Sequence, residues 1–335
     1  MEVYMKKAMV VGLTVFLFGA LFLACGEDRG GYLEDGTWRP VRSIEFVAPA
    51  GVGGGSDIWM REISNIINQN NLSNSTFMPV NRGGGAGAVG YNFMLSRSGN
   101  PHYVLALHNG VLVTSHIGGW PRTYEEMIDI VAIMAFDDVF LGTRADGPFT
   151  DIHSLLNAAR ANPGTIRFGS DQRLNTSHFM FELLREYADA DMNYVQFDSS
   201  GLVATALLGG HVDVGIFNPS EFIGQLQSGD FVAIATFAEE RVPGDMFANV
   251  PTFIELGYPQ IVMREWRGLA VPLGLSEPAR SYYEQLMRMV METPQFHAFL
   301  ERNYLIPTFM GPEEAAAFSA TEIGRVRALF EALGQ

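Results

Sequence analysis

At 335 residues, with 47% hydrophobic and 18% charged side chains, the chain can build one large or two ordinary domains, and its charge is too low for a disordered polymer. A formal net charge of −15 argues against nucleic acid or an anionic membrane surface as a partner. It leaves a small anionic ligand open, because local hydrogen-bond donors decide that affinity.

The N-terminus reads first as an address. Lys6 and Lys7 precede an apolar stretch from Ala8 to Ala24, the pattern of a secretory signal peptide over residues 1–24. A retained membrane-spanning anchor is the alternative. Cys25, the one cysteine, follows Leu21-Phe22-Leu23-Ala24 and resembles the acceptor of a bacterial lipoprotein box. It is the expected lipidation site. Residues 25–39 carry Gly26, Gly30, Gly31 and Gly36 among acidic residues and are expected to form a tether.

From residue 44 onward, short apolar runs alternate with helical patterns, which predicts an α/β fold. Strands are expected at 44–48, 76–80, 103–107, 131–135, 139–143, 165–168, 193–197, 212–217, 231–236 and 266–271. Helices are expected at 57–69, 87–96, 151–161, 177–188, 200–208, 219–227, 276–292 and 312–333.

Two glycine loops stand out. In the first, the run Ile44 to Ala48 ends at Pro49 and leads through Gly51, Val52, Gly53, Gly54 and Gly55 to Ser56 and Asp57, which open a helix. In the second, Thr76 to Val80 leads through Asn81-Arg82-Gly83-Gly84-Gly85-Ala86-Gly87 to another helix. Strand, bare glycine backbone and helix N-terminus make an anion site, since uncovered N–H groups and the helix dipole both favour negative charge. Consecutive loops of this kind belong at the carboxyl ends of parallel strands. Asp57 is also a good first-turn residue for its helix, so a capping role competes with ligand contact.

Gly85 to Gly90 matches G-x-G-x-x-G, but a dinucleotide site also needs an acidic residue about twenty positions on. The interval from Ile63 to Tyr124 contains no Asp or Glu and does contain Arg82, Arg97 and Arg122. A carboxylate would meet backbone dipoles and Arg82 there with little repulsion. The seven histidines lack metal-binding spacing, and no nucleophile elbow or phosphate loop is present, so no metal, cofactor or catalytic group is expected. Asp137 and Asp138 are adjacent, and adjacent residues on a strand face opposite ways, so the pair is not automatically a two-carboxylate centre.

Residues 47–57 and 81–90 resemble the two glycine loops of the substrate-binding proteins of tripartite tricarboxylate transporters, the Bug or TctC-like family. Further matches follow in order: Leu207-Leu208-Gly209-Gly210-His211-Val212-Asp213, Asn218-Pro219-Ser220-Glu221, Asn249 to Gly257, and Trp266 to Ser276. The likeness covers about residues 40–335. It implies a two-domain periplasmic-binding-protein fold of type II, a Venus flytrap in which each domain is a β-sheet flanked by helices. Domain 1 would comprise 40–140 plus 266–335, and domain 2 residues 141–265.

The same resemblance implies a solute-binding protein that is not an enzyme. It would close on a small di- or tricarboxylate, citrate-like, as a monomer and deliver it to the transporter's membrane subunits. The protein would be periplasmic or cell-surface, held to the membrane through Cys25. Residues 52–57 and 83–87 would hold one carboxylate, with Asn109 at a third strand end. The second domain would contribute from the stretch Ser170 to His178, notably Ser170, Asn175, Thr176 and His178, from Asp198 to Gly201, notably Asp198 and Ser199, and Asn218. The chain departs from the family pattern at Ala50, at Leu174-Asn175 and at Gly201-Leu202, which bears on the ligand's identity. A sensing protein that passes its closed form to a receptor is the alternative, and a dinucleotide-dependent enzyme the remote one. Bulky side chains at Gly54 or Gly84 are expected to abolish binding and leave the fold intact.

Overall fold

The structure, a computed structural model, describes residues 31–116, 119–171, 175–197 and 199–332. The expected signal peptide and Cys25 lie outside these residues. Among the described residues no helix is long and apolar enough to cross a membrane.

The chain begins with β1 (Ile44–Ala48), α1 (Gly55–Gln69), β2 (Phe77–Asn81), α2 (Ala88–Leu95), β3 (Tyr103–His108), α3 (Gly110–His116) and β4 (Ile128–Asp137). It continues with β5 (Phe140–Arg144), α4 (Ile152–Ala161), β6 (Arg167–Ser170), α5 (Thr176–Tyr187), β7 (Asn193–Gln196), α6 (Ser200–Leu208), β8 (Val214–Phe217), α7 (Pro219–Ser228) and β9 (Phe231–Thr236). It closes with β10 (Glu265–Pro272), α8 (Glu277–Met291), α9 (Pro294–Arg302), β11 (Ile306–Met310) and α10 (Pro312–Ala332).

These strands form two sheets, ordered β11-β4-β10-β3-β1-β2 and β7-β6-β8-β5-β9. In the first, β1 pairs in parallel with β2 and β3, while β10 runs antiparallel between β3 and β4. In the second, β6 pairs in parallel with β7 and β8, while β5 runs antiparallel to β8 and β9. The chain therefore leaves the first sheet after β4, completes the second, and returns through β10. Both sheets are flanked by helices, as the alternating pattern requires.

Each sheet has its own apolar core. Phe46, Trp59, Val104, Leu269 and Tyr283 are buried on one face of the first, and Phe168, Leu184, Ile216 and Phe253 in the second. Two helices serve both. Ala315 and Ile323 of α10 pack with the first sheet, and Val326, Leu329 and Phe330 of the same helix with the second. Val111 and Leu112 of α3 likewise face the first core, and Val113 the second. The described part of the expected tether is packed. Tyr32 pairs with Trp38 in an isolated bridge, and Trp38 is buried against His102, Tyr282 and Tyr283.

Three elements escaped the sequence pattern. α3 is built from Gly-Val-Leu-Val-Thr-Ser-His, whose valines and threonine have weak helix propensity, and burial on both sides overrides it. β11 contains Pro307, which lacks a donor and is tolerated because the strand lies at the sheet edge. α9 did carry its start signal: Thr293 accepts from the N–H of Phe296, and Pro294 stands at the first helical position.

Candidate functional site

A cavity of about 890 Å³ lies between the two sheets. Its wall is made largely of helix beginnings. Gly55 and Ser56 open α1, Gly87 caps α2, Gly110 opens α3, Asn175 and Thr176 begin α5, Ser199 and Ser200 begin α6, and Asn218 caps α7. Parallel strands point their carboxyl ends one way, so the helices that follow them start at the same place. The result is a chamber toward which the positive ends of several helix dipoles converge.

Both glycine loops line it. Val52, Gly53, Gly54, Gly55 and Ser56 come from the first, and Gly83, Gly84, Gly85, Ala86 and Gly87 from the second. Gly84 has φ +122°, a conformation that side-chain-bearing residues rarely adopt. Gly55 is glycine for a different reason: a Cβ there would stand 2.5 Å from an Arg267 guanidinium nitrogen. That close approach puts a buried cation beside the start of α1.

Arg267 organises the polar floor. Its guanidinium meets Asp137 at 2.6 Å, with both side chains at most 5% exposed, and reaches Glu265 at 3.5 Å. Next in the chain from Asp137, Asp138 turns the other way and takes two hydrogen bonds from Arg264, at 2.7 and 2.8 Å. The two acids do not form one centre. They instead tie together the two stretches of chain that pass between the sheets. Asn218 adds to this knot, donating from Nδ2 to the Asp137 carbonyl and to Glu265, both at 3.2 Å.

Glu221 makes a direct link across the cavity. Its Oε1 accepts from the backbone N–H of Gly55 at 2.8 Å, joining α7 beside the second sheet to α1 beside the first. Burial raises the Glu221 carboxyl above the ordinary carboxylate range, although Arg267 and the Gly55 N–H oppose the shift. Glu265 is pushed up to about 8, first by burial and then by the charges of Asp137, Glu221 and Asp171, against the pull of Arg267. For Arg267 burial alone would lower the value, but Asp137, Glu265 and Glu221 outweigh it and hold the guanidinium firmly charged. His108 is lowered to about 3 by burial and by Arg267, so the imidazole is neutral. Its Nδ1 accepts from the Gly110 N–H, which leaves the ring proton on Nε2.

The family profile described as "Tripartite tricarboxylate transporter family receptor" matches residues 68–335. The chain belongs to that family. It is 26% identical over 295 residues to Protein BugT of Bordetella pertussis, covering 85% of this chain and 87% of that one. Its fold superposes on the periplasmic binding protein BugD with a TM-score of 0.79 at 21% identity, covering 88% and 98% of the two chains. It superposes on MatC from Rhodopseudomonas palustris, recorded with bound malate, with a TM-score of 0.76 at 21% identity, covering 86% and 98%. The family is one of solute-binding receptors, not enzymes, and the fold is that of periplasmic binding proteins.

In this receptor the residues expected to meet a ligand divide into two groups. The ten glycine-loop residues from Val52 to Ser56 and from Gly83 to Gly87, together with Asn175, Thr176, Ser199 and Asn218, do line the cavity. The others stand behind it or elsewhere. Asp57 is 3% exposed and accepts from the Gly53 N–H, Arg61 and Asn81, so it braces the first loop from inside. Burial pulls its pKa upward, but those three donors prevail and hold it below the usual range. Arg82 pairs with Glu45 at 3.2 Å and covers the Phe93 ring at 3.6 Å. Asn109 is buried and donates to the Arg264 carbonyl. His178 packs between Phe181 and Tyr194 and faces Glu182 at 3.4 Å. Ser170 is buried at the end of β6, outside the cavity wall. Asp198 lies outside the described residues.

The pattern of the sequence did not select His108, Thr114, Glu221, Glu265 or Arg267, all of which line the cavity, as does Asp171, which falls in the candidate stretch from Ser170 to His178. For Glu221 and Arg267 a signal existed, since both sit inside motifs of the family resemblance. Glu265 and Thr114 carry no local mark.

Glu265 gives stability a pH dependence. Between about pH 4.5, the ordinary carboxyl value, and about pH 8, the folded protein keeps a proton that the unfolded chain has released. The folded state binds more protons in that window, so stability falls as pH rises through it. Thermal melts at pH 5 and pH 8 are expected to show a lower Tm at pH 8, with a flatter pH slope in Glu265→Gln. An equal slope in the two proteins would remove Glu265 as the cause.

Proposed function

We propose that this receptor is a periplasmic solute-binding protein that traps a small carboxylate-bearing molecule between two lobes and presents the closed form to the membrane subunits of a tripartite transporter. The lobes are residues 40–140 with 266–335, and residues 141–265. The observation that carries the reading is the convergence of both glycine loops and the starts of α5, α6 and α7 on one cavity between the sheets. Those donors come from both sides of the gap, so one ligand held by all of them favours the closed arrangement. Residues 52–56 and 83–87 hold a carboxylate through backbone N–H groups, and Asn175, Thr176, Ser199 and Asn218 contact the rest of the molecule. The segments at 139–145 and 262–270 act as the hinge, and the Asp137–Arg267 and Asp138–Arg264 pairs fasten the two connections to each other. MatC, a solved structure of the same fold, is recorded with bound malate, a small carboxylate.

A thermal-shift screen of organic acids, amino acids and neutral sugars tests this. Carboxylate-bearing compounds are expected to raise the Tm and neutral sugars to leave it unchanged. A sugar that raises the Tm while every carboxylate fails would defeat the proposal.

A further inference from the structure

Among the described residues, the charged side chains on the cavity wall are Asp171, Glu221, Glu265 and Arg267. Arg267 is already engaged by Asp137, which is itself 1% exposed, so its charge is neutralised within the protein. The wall near the floor is therefore acidic. The three acids are not fully used by their neighbours. Among the described residues, Asp171 accepts from Asn175 at 2.8 Å, Glu221 from the Gly55 N–H at 2.8 Å and from Ser200, and Glu265 from Asn218 at 3.2 Å and Arg267 at 3.5 Å. A carboxylate has room for about four such bonds. All three line the same cavity.

The far end of the first sheet, where β2 lies with β3 and β1 between it and β10, has the reverse character. The second glycine loop lies in the stretch from Ile63 to Tyr124 that holds no acidic residue. Since Glu221 already occupies the Gly55 N–H, an incoming carboxylate is left to the remaining donors of the two loops. The cavity is thus polarised, with anion-binding backbone on one side and carboxyl groups on the other. An independent feature also points to an occupant: Thr176 is 2% exposed, lines the cavity, and its hydroxyl has no hydrogen-bond partner among the described residues.

We infer that the cavity selects a zwitterion, a small molecule with a carboxylate at one end and a protonated nitrogen at the other, the nitrogen being held by Glu221, Glu265 and Asp171. The inference rests on the proposed function and narrows its ligand class. A second ligand carboxylate in that position would meet three acids and one cation already paired, and a citrate-like acid would bring more negative charge still. An ammonium meets complementary charge and satisfies acceptors that are otherwise incompletely bonded. It also favours ionisation of Glu265, so binding expels a proton, whereas a dicarboxylate would draw protons in. The groups that set this proton balance are Arg267, Asp137, Glu221, Asp171 and Glu265 itself.

The test is isothermal titration calorimetry on the purified receptor with matched probes. Dicarboxylates of four to six carbons are compared with amino acids of equal backbone length and with monocarboxylates lacking nitrogen. At least one amino acid is expected to bind about tenfold or more tighter than its matched dicarboxylate, the scale of one desolvated charge pair. In Glu221→Gln with Glu265→Gln that ratio is expected to collapse toward unity. Titrations of the unaltered protein in two buffers of different ionisation enthalpy are expected to show net proton release with the amino acid. This measurement stands even where the double variant does not fold. Dicarboxylates that bind as tightly as amino acids, or proton uptake with the amino acid, would overturn the inference and leave carboxylate capture intact. Absence of binding by every carboxylate-bearing probe would overturn the proposed function, and the inference with it.

Discussion

Replacing Arg267 with methionine is expected to destabilise the receptor by about 3–5 kcal/mol, the usual cost of breaking a buried ion pair from one side. Arg267 and Asp137 are buried, 2.6 Å apart, and the Asp137 side chain is 1% exposed. Without the guanidinium, Asp137 keeps a desolvated charge, and Glu265 and Glu221 lose the cation that offsets theirs. Methionine keeps much of the apolar stem volume, so the loss reports charge and hydrogen bonding rather than a large void. Urea denaturation at neutral pH measures it. Adding Asp137→Leu to the same protein is expected to restore most of the stability, because replacing both partners of a buried pair by apolar groups is often nearly neutral. The deficit is also expected to be larger at pH 8 than at pH 5, since protonation relieves the uncompensated carboxylates. A single-variant loss below about 1 kcal/mol would show that the pair is a passenger in the fold.

The second large effect concerns the loops. Gly54→Val is expected to weaken carboxylate binding by about ten- to a hundredfold, equivalent to one or two hydrogen bonds to a charged group, and to leave stability within about 1 kcal/mol. Gly54 caps α1 with φ −79° and ψ 164°, an extended conformation open to any residue. A Cβ there would meet its nearest neighbours at 3.6 and 3.8 Å, ordinary contact distances, while the residue lines the cavity. Gly84→Val is different. At φ +122°, with the Val89 side chain 3.1 Å from a new Cβ, it strains the backbone whatever occupies the cavity. The sequence pattern alone treats the two glycines alike. The backbone angles separate them, so Gly84→Val is expected to lower the Tm by several degrees as well as to reduce binding. Calorimetric affinity and melting temperature, measured together on both variants, distinguish a blocked site from a damaged fold. A Gly54→Val protein that binds carboxylates normally would take the first loop out of the site.

Much of this molecule was legible in its sequence because the informative signals are local. A strand, a glycine loop and a helix start are contiguous, so the loops after β1 and β2 can be read from a dozen residues each. The starts of α5 and α6 were recognisable for the same reason: Asn175 and Ser199 each cap the helix they precede. Local reading misplaced the residues whose roles depend on what lies behind them. Arg82 is a plausible anion ligand until Phe93 and Glu45 are seen to hold it, and Asp57 a plausible contact until its donors prove to be Gly53, Arg61 and Asn81. His178 sits near the start of α5 as expected, yet it packs against Phe181 and Tyr194.

The sequence by itself determined the α/β alternation, the two glycine loops and the acid-free interval that holds the second. Each follows from near-neighbour chemistry along the chain: hydrophobic period, capping and backbone freedom. Only the tertiary structure decided the cavity's charge. Asp137, Asp171, Glu221 and the neighbouring Glu265 and Arg267 come from four distant stretches of the chain and meet because β10 inserts between β3 and β4 while α7 starts facing α1. Electrostatic energy depends on distance through space and on burial, and neither is written in the order of residues. The loops therefore suggest the proposed carboxylate site early, whereas the acidic floor of the cavity emerges only in the folded chain.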